Sequence, residues 1–241
     1  MVVYSDSHAC LKQLIKIDLS NGATTMKTLI KAIAMASLAS TAAVAQADIT
    51  GTLGVNSSYQ LYGQELDGSS TAYAGIGFDL SGFNVGITVI DADEAGFTET
   101  DTMLGYTMNL MGADVRLSYL DRSFDYGNGN DDYGMTEFSV GITASGLSID
   151  YVDGEDDGLL SLGETIDYTV TTLGYTVSNV GILLGSVDID NGSEYSYYEI
   201  STGTELFGLD ASVTLTNTFS EEGFDEQGST IVIGMSKSLD L

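Results

Sequence analysis

The sequence has no proline and no tryptophan, a single cysteine and a single histidine, and seven basic side chains against 35 acidic ones. Each shortage removes a class of function. A formal net charge of −28 excludes nucleic acid as a partner, because phosphate binding draws on Lys and Arg in number. One cysteine, Cys10, cannot build a disulfide framework. No apolar run reaches the roughly 20 residues that a membrane-spanning helix needs.

The longest apolar run lies inside Met26 to Ala47. There Lys27 and Lys31 form a basic start, Ala32 to Leu38 an apolar centre, and Ala45-Gln46-Ala47 a small-x-small site. These three features in this order predict a signal peptide over 26–47, cleaved after Ala47 to leave Asp48 as the mature terminus. Residues 1–25 then read as a start codon placed too early or a disordered extension. Cys10, His8 and four of the seven bases belong to this leader. The remaining 194 residues, 48–241, keep only Arg116, Arg122 and Lys237 against 33 acids. With no His base and no Cys nucleophile left, enzyme activity and a cofactor are not expected.

What the mature chain has in quantity is alternation. In Ser229 to Leu241 the positions Ile231, Ile233, Met235, Leu239 and Leu241 share one face with Lys237, while Thr230, Gly234, Ser236, Ser238 and Asp240 share the other. A period of two makes this a strand with one apolar and one polar face. The pattern recurs over Thr50–Tyr62, Thr71–Leu80, Phe83–Ile90, Thr102–Met108, Ala113–Leu120, Tyr133–Ala144, Leu147–Val152, Glu164–Thr176, Val180–Val187, Tyr195–Leu206 and Leu209–Thr218. Short turns such as Ser81-Gly82 and Ser145-Gly146 alternate with longer acidic loops such as Asp121–Asp132 and Asp153–Gly163. Two strands are irregular: Thr171-Thr172 breaks the phase, which a bulge would absorb, and Val180–Leu184 is apolar on both faces, which implies a lumen narrowed near Leu183.

Twelve strands with short turns at one end and long loops at the other predict an all-β fold, a single antiparallel transmembrane β-barrel of the outer membrane, behind a signal peptide. The polar face separates it from a sandwich in water, being mostly Gly, Ser, Thr and Asn where a sandwich would show Lys, Arg and Glu. Tyr59, Phe78, Phe83, Tyr106, Tyr119, Phe138, Tyr151, Tyr168, Phe207 and Phe219 lie near strand ends, as an interfacial girdle requires.

Gly51 to Gly63 (G-T-L-G-V-N-S-S-Y-Q-L-Y-G), Ala74 to Gly86 (A-G-I-G-F-D-L-S-G-F-N-V-G), Glu99 to Asp101 with Leu104-Gly-Tyr106, and Ile231 to Leu239 together resemble the TorF-type porins of proteobacterial outer membranes. The resemblance implies an outer-membrane channel. It departs from the family pattern at Tyr62-Gly63, where Arg-Gly is usual, and at Leu241, where Phe is usual.

If the polar faces point inward, the pore is lined by Asp79, Asp101, Asp114, Glu137, Asp150, Asp167, Glu199, Glu205 and Asp210, against Arg116 alone. Arg116 is expected to pair with Glu137 or Asp114, Arg122 to sit at the mouth with Asp121 and Asp125, and Lys237 to snorkel on the lipid face. Acidic walls favour cations. The functional expectation is a channel for small hydrophilic solutes or cations, with outer-membrane lipid as its surroundings. The alternative is a non-conducting surface barrel with a plugged lumen, whose acidic loops bind cations, lipopolysaccharide or a partner. Asp188 to Glu194 resembles the start of a calcium loop but lacks the later glutamate, and its Asn-Gly suits a turn, so no metal site is expected.

Overall fold

In the computed structural model the described residues are 48–92, 96–126, 133–158, 165–190, 193–222 and 228–241. The expected signal peptide, its cleavage at Ala47 and the segment 1–25 lie outside them.

Twelve strands close a barrel: β1 (Asp48–Asn56), β4 (Thr71–Leu80), β5 (Phe83–Ala92), β6 (Phe97–Leu110), β7 (Ala113–Asp125), β8 (Tyr133–Ala144), β9 (Leu147–Asp157), β10 (Thr165–Val177), β11 (Val180–Ile189), β12 (Ser193–Leu206), β13 (Leu209–Glu222) and β14 (Gly228–Asp240). Each is antiparallel to its neighbours, and β1 pairs with both β4 and β14, so the sheet has no free edge. Inside the loop between β1 and β4 stand two more strands, β2 (Tyr59–Leu61) and β3 (Gln64–Asp67), paired only with each other. The first predicted strand, Thr50–Tyr62, is therefore two elements. It leaves the wall at Ser57, which exchanges the last bonds with Ile233: the Ser57 amide donates to the Ile233 carbonyl at 2.9 Å, and the Ile233 amide donates to Ser57 Oγ at 2.9 Å.

Alternation decides which side each residue faces. Val85 and Ile87 of β5, Ile149 and Tyr151 of β9, and Ile231 and Ile233 of β14 are exposed on the outside, and such a belt of apolar surface calls for lipid around it. At one end, which we call the turn end, two-residue connections such as Ser81-Gly82 and Met111-Gly112 place both residues at positive φ, the conformation whose twist suits adjoining strands. At the other, the loop end, the strands run further than the sequence suggests: β7 reaches Asp125 and β9 reaches Asp157, so acids assigned to loops are strand residues. β10 keeps an unbroken register with both β9 and β11 through Thr171-Thr172. No bulge is needed there, because Val170 and Tyr168 turn inward and Thr171 outward. The shift of register lies instead at Glu194/Tyr195 in β12.

Candidate functional site

At the loop end the inward positions are apolar. Ala92, Phe97, Phe124, Met135, Val170, Val187 and Ile189 point into the lumen and are buried there. Apolar groups facing a water-filled pore would be costly, and β2 and β3 cover them. Tyr59 meets Phe97 edge-on with ring centroids 5.6 Å apart, Phe97 meets Phe124 in the same way at 5.6 Å, and Leu61 completes the cluster.

The hairpin tip, Tyr62-Gly63, is held on two sides. Both residues have positive φ (48° and 79°), as a two-residue turn requires. The Tyr62 hydroxyl donates to Glu137 Oε1 of β8, and so does the Tyr168 hydroxyl of β10, at 2.7 Å. On the opposite wall, Thr218 of β13 donates to the Gly63 carbonyl at 2.7 Å, Thr216 donates to Gln60 Oε1 at 2.9 Å, and Thr230 of β14 donates to Glu65 Oε2 at 2.7 Å. Gly63 lies against the Tyr197 ring, where an added Cβ would come within 2.4 Å of Cγ. Only glycine meets both the space and the φ at this point. Tyr168 itself lies over Gly154, whose missing side chain leaves room for the ring.

Under the hairpin sits a charge network. Arg122 Nε is 3.1 Å from Glu99 Oε1 and 3.1 Å from Asp101 Oδ1, and Arg122 Nη1 is 3.9 Å from Glu137 Oε1. Glu99 is only 1% exposed, so its charge depends on Arg122. Glu99 Oε2 and Arg122 Nη1 have no hydrogen-bond partner among the described residues. Burial foremost, then the neighbouring carboxylate, raises both hairpin phenols well above the ordinary tyrosine range: Glu99 acts on Tyr59 and Glu137 on Tyr62.

Below this level the lumen changes character. Asn109, Asp114, Arg116, Thr143, Glu205, Asp210 and Ser212 are inward and exposed. Arg116 pairs with Asp150 at 2.7 Å rather than with Glu137 or Asp114, because the register sets Arg116 opposite Gly141 and Gly141 opposite Asp150, and the glycine leaves the carboxylate room to reach across. Asp114 instead accepts from Asn109 at 2.7 Å.

Of the residues expected to line the pore, Asp79, Asp101, Asp114, Arg116, Glu137, Asp150, Glu199, Glu205 and Asp210 stand on the inward set of their strands, and Asp167 does not. Asp167 shares the face of Leu173 and Tyr175 and lies directly opposite Glu155, with both beside a shallow outer depression that Tyr119 and Phe138 also line. The sequence reading let the strand change phase at Thr171 and so turned Asp167 to the wrong side. Arg122 is likewise moved: it is in the lumen interior with Glu99 and Asp101, whereas Asp121 and Asp125 have the opposite parity. Its spacing of six from Arg116 already put the two on one face. Two members of the expected aromatic girdle, Tyr59 and Tyr168, are buried inside the barrel.

No family model matches the chain, and no curated protein matches it. Solved structures do match. A structure titled "KdgM porin" aligns with probability 1.00, a TM-score of 0.50 and 10% identity, over 80% of this chain and 99% of that one. Another, titled "KdgM porin in complex with disordered oligogalacturonate", aligns with a TM-score of 0.49 and 10% identity over the same shares. Pseudomonas aeruginosa OccK2 (OpdF) in complex with glucuronate aligns with a TM-score of 0.45 and 8% identity, over 83% of this chain and 69% of that one. The fold is that of an outer-membrane porin, and the apolar outer belt places the barrel in the outer membrane.

Proposed function

We propose that this chain is a porin of the TorF type, a channel for passive diffusion of small hydrophilic solutes, with a preference for cations and with the β2–β3 hairpin as its constriction. The observation that carries the reading is the asymmetry of the lumen, a polar vestibule at the turn end leading to a hairpin anchored on opposite walls. Short connections belong to the periplasmic side of bacterial outer-membrane barrels, and on this reading the turn end, with Asp48 and Leu241, faces the periplasm. In the vestibule, the Asp79, Asp114, Glu205 and Asp210 carboxylates outnumber Arg116, which is already paired with Asp150. Low-dielectric walls focus that excess field on entering ions. Glu137 is an anchor for the hairpin more than a selecting charge, since two phenols donate to it.

Reversal potentials across a planar bilayer under a salt gradient test the preference. The parent should select cations, and the double variant Asp114→Asn with Asp210→Asn should bring the potential measurably toward zero with the barrel still folded. Anion preference in the parent, or a potential unmoved by both substitutions, would reject the electrostatic part.

A second reading has its own support. The burial of Tyr59, Leu61, Tyr168 and Tyr197 around the hairpin favours a plugged barrel that presents its acidic loop end to cations, lipopolysaccharide or a partner. A parent that stays silent in the bilayer, together with a hairpin-deleted barrel that conducts, would select this reading.

A further inference from the structure

Of the three bases in residues 48–241, Arg116 and Arg122 are inside the barrel, so Lys237 of β14 is the sole cation on the outer wall among the described residues. Its outward neighbours are apolar: Met235 and Leu239 on its own strand and Leu53 opposite on β1. No carboxylate lies within ion-pair reach of it among the described residues. Asp210 and Asp240, close in sequence to its surroundings, have the inward parity. The Lys237 side chain extends toward the turn end, where Nζ donates to the carbonyl of Gly208 at 2.6 Å. That leaves two of the three ammonium donors available.

Gly208 is half of the Phe207-Gly208 turn, which joins β12 to β13. Phe207 has φ 56° and is 103% exposed. A left-handed backbone suits small polar residues, and two turns of the same kind carry serine there, Ser81 and Ser145. Here a phenylalanine occupies the position and touches nothing that would bury it. The apolar belt runs straight into it, because Leu206 and Leu209 flank the turn. Met111, in the turn diametrically across the barrel, is just as exposed but has no cation beside it.

We infer that Lys237, the Gly208 carbonyl and Phe207 form a binding site for the headgroup of an anionic phospholipid in the periplasmic leaflet. The carbonyl holds the ammonium at headgroup level, the two remaining donors meet the phosphate, and Phe207 packs on the glycerol and upper acyl chain. Outward acids of the described strands, such as Asp121, Asp153 and Asp167, stand toward the loop end, so in the turn-end leaflet Lys237 is the one place on the outer wall whose charge attracts anionic lipid. The inference rests on the barrel being lipid-embedded.

Because the chain has no tryptophan, one introduced tryptophan is a clean reporter. Phe207→Trp and Met111→Trp, each in the full mature chain, go into phosphatidylcholine vesicles carrying a minority of brominated phosphatidylglycerol. At position 207 quenching should show the anionic lipid enriched about fivefold over its bulk share, the factor one lysine near a membrane surface supplies. At position 111 it should follow the bulk share. Adding Lys237→Gln should return position 207 to the bulk value, while native mass spectrometry of the otherwise unaltered chain should show phosphatidylglycerol retained by the parent and lost with Lys237→Gln. Bulk-share quenching at 207, or enrichment that survives Lys237→Gln, overturns the site. Loss of enrichment on adding inorganic phosphate at constant ionic strength would also overturn it, since the ligand would then be phosphate and not lipid. Brominated phosphatidylcholine alone should quench both reporters, and if neither is quenched it is the membrane reading that fails.

Discussion

Toward the turns the inward positions of the barrel are Gly, Ser, Thr and exposed acids; toward the loops the same strands turn Phe124, Met135, Val170, Val187 and Ile189 inward, and a hairpin covers them. The difference shows how one alternating pattern yields two environments. At the turn end small polar side chains leave space and their polar atoms stand open to solvent. At the loop end both faces of several strands are apolar, so the wall needs an internal partner, and the segment between β1 and β4 supplies it. The hairpin behaves as a small soluble core placed inside a membrane barrel, with hydrogen bonds reaching both walls.

The largest way to break this contrast is to remove the hairpin. Replacing Tyr59–Asp67 by a short Gly-Ser link should make the loop end as open as the turn end and raise single-channel conductance by on the order of tenfold, since a barrel of this strand number encloses an aqueous lumen when nothing fills it. Planar-bilayer recording reads it directly. Conductance equal to the parent's would mean that ions pass beside the hairpin and that it constricts nothing.

Much of the barrel is legible in the sequence. Twelve wall strands, the alternation of short and long connections and the closing strand all follow from a period of two that lipid on one side and small polar groups on the other enforce. The hairpin is not, and the reason lies in particular residues. Tyr59 and Leu61 continue the odd-numbered apolar series of Leu53 and Val55, so the chain reads as one strand through Ser57-Ser58. Periodicity reports which residues share a face and says nothing of whether a strand has left its sheet. The usable signal lay elsewhere: Val187 and Ile189 opposite Leu184 on β11, and Val170 beside Leu173 on β10, make strands apolar on both faces, which a water-filled pore would not tolerate. The pairing of Arg122 with Glu99, where the sequence suggests Asp121 and Asp125 as its neighbours, is not legible, because an ion pair between strands depends on register, and a single strand's pattern does not carry register.

The two arginines sharpen the same contrast. Arg122→Gln should cost about 3–5 kcal/mol, because Glu99 would remain buried with its compensating charge gone. Equilibrium unfolding of the detergent-refolded barrel in urea measures the cost. Removing the buried carboxylate as well, with Glu99→Gln in the same chain, should recover a large part of it, whereas a double variant no more stable than Arg122→Gln alone would show that the arginine acts by packing and not by charge.

Arg116 has the same chemistry in the other half, and there the effect should be small. Its side chain is 54% exposed and its pair with Asp150, though 2.7 Å long, stands at the vestibule surface where water and salt screen it. Arg116→Gln should therefore change stability by less than about 1 kcal/mol. Function should still register it, since the substitution removes the vestibule's one base and releases Asp150 from its partner, so the reversal potential should move further toward that of a cation-selective pore. Asp150→Asn should move it the other way, and the two together should nearly cancel, because the pair as a whole adds no net charge to the wall. A loss of stability as large as that of Arg122→Gln would mean that the turn end is as tightly packed as the loop end. A shift toward anions on removing Arg116 would mean that ions do not pass this wall, and either result would undo the distinction between the two halves.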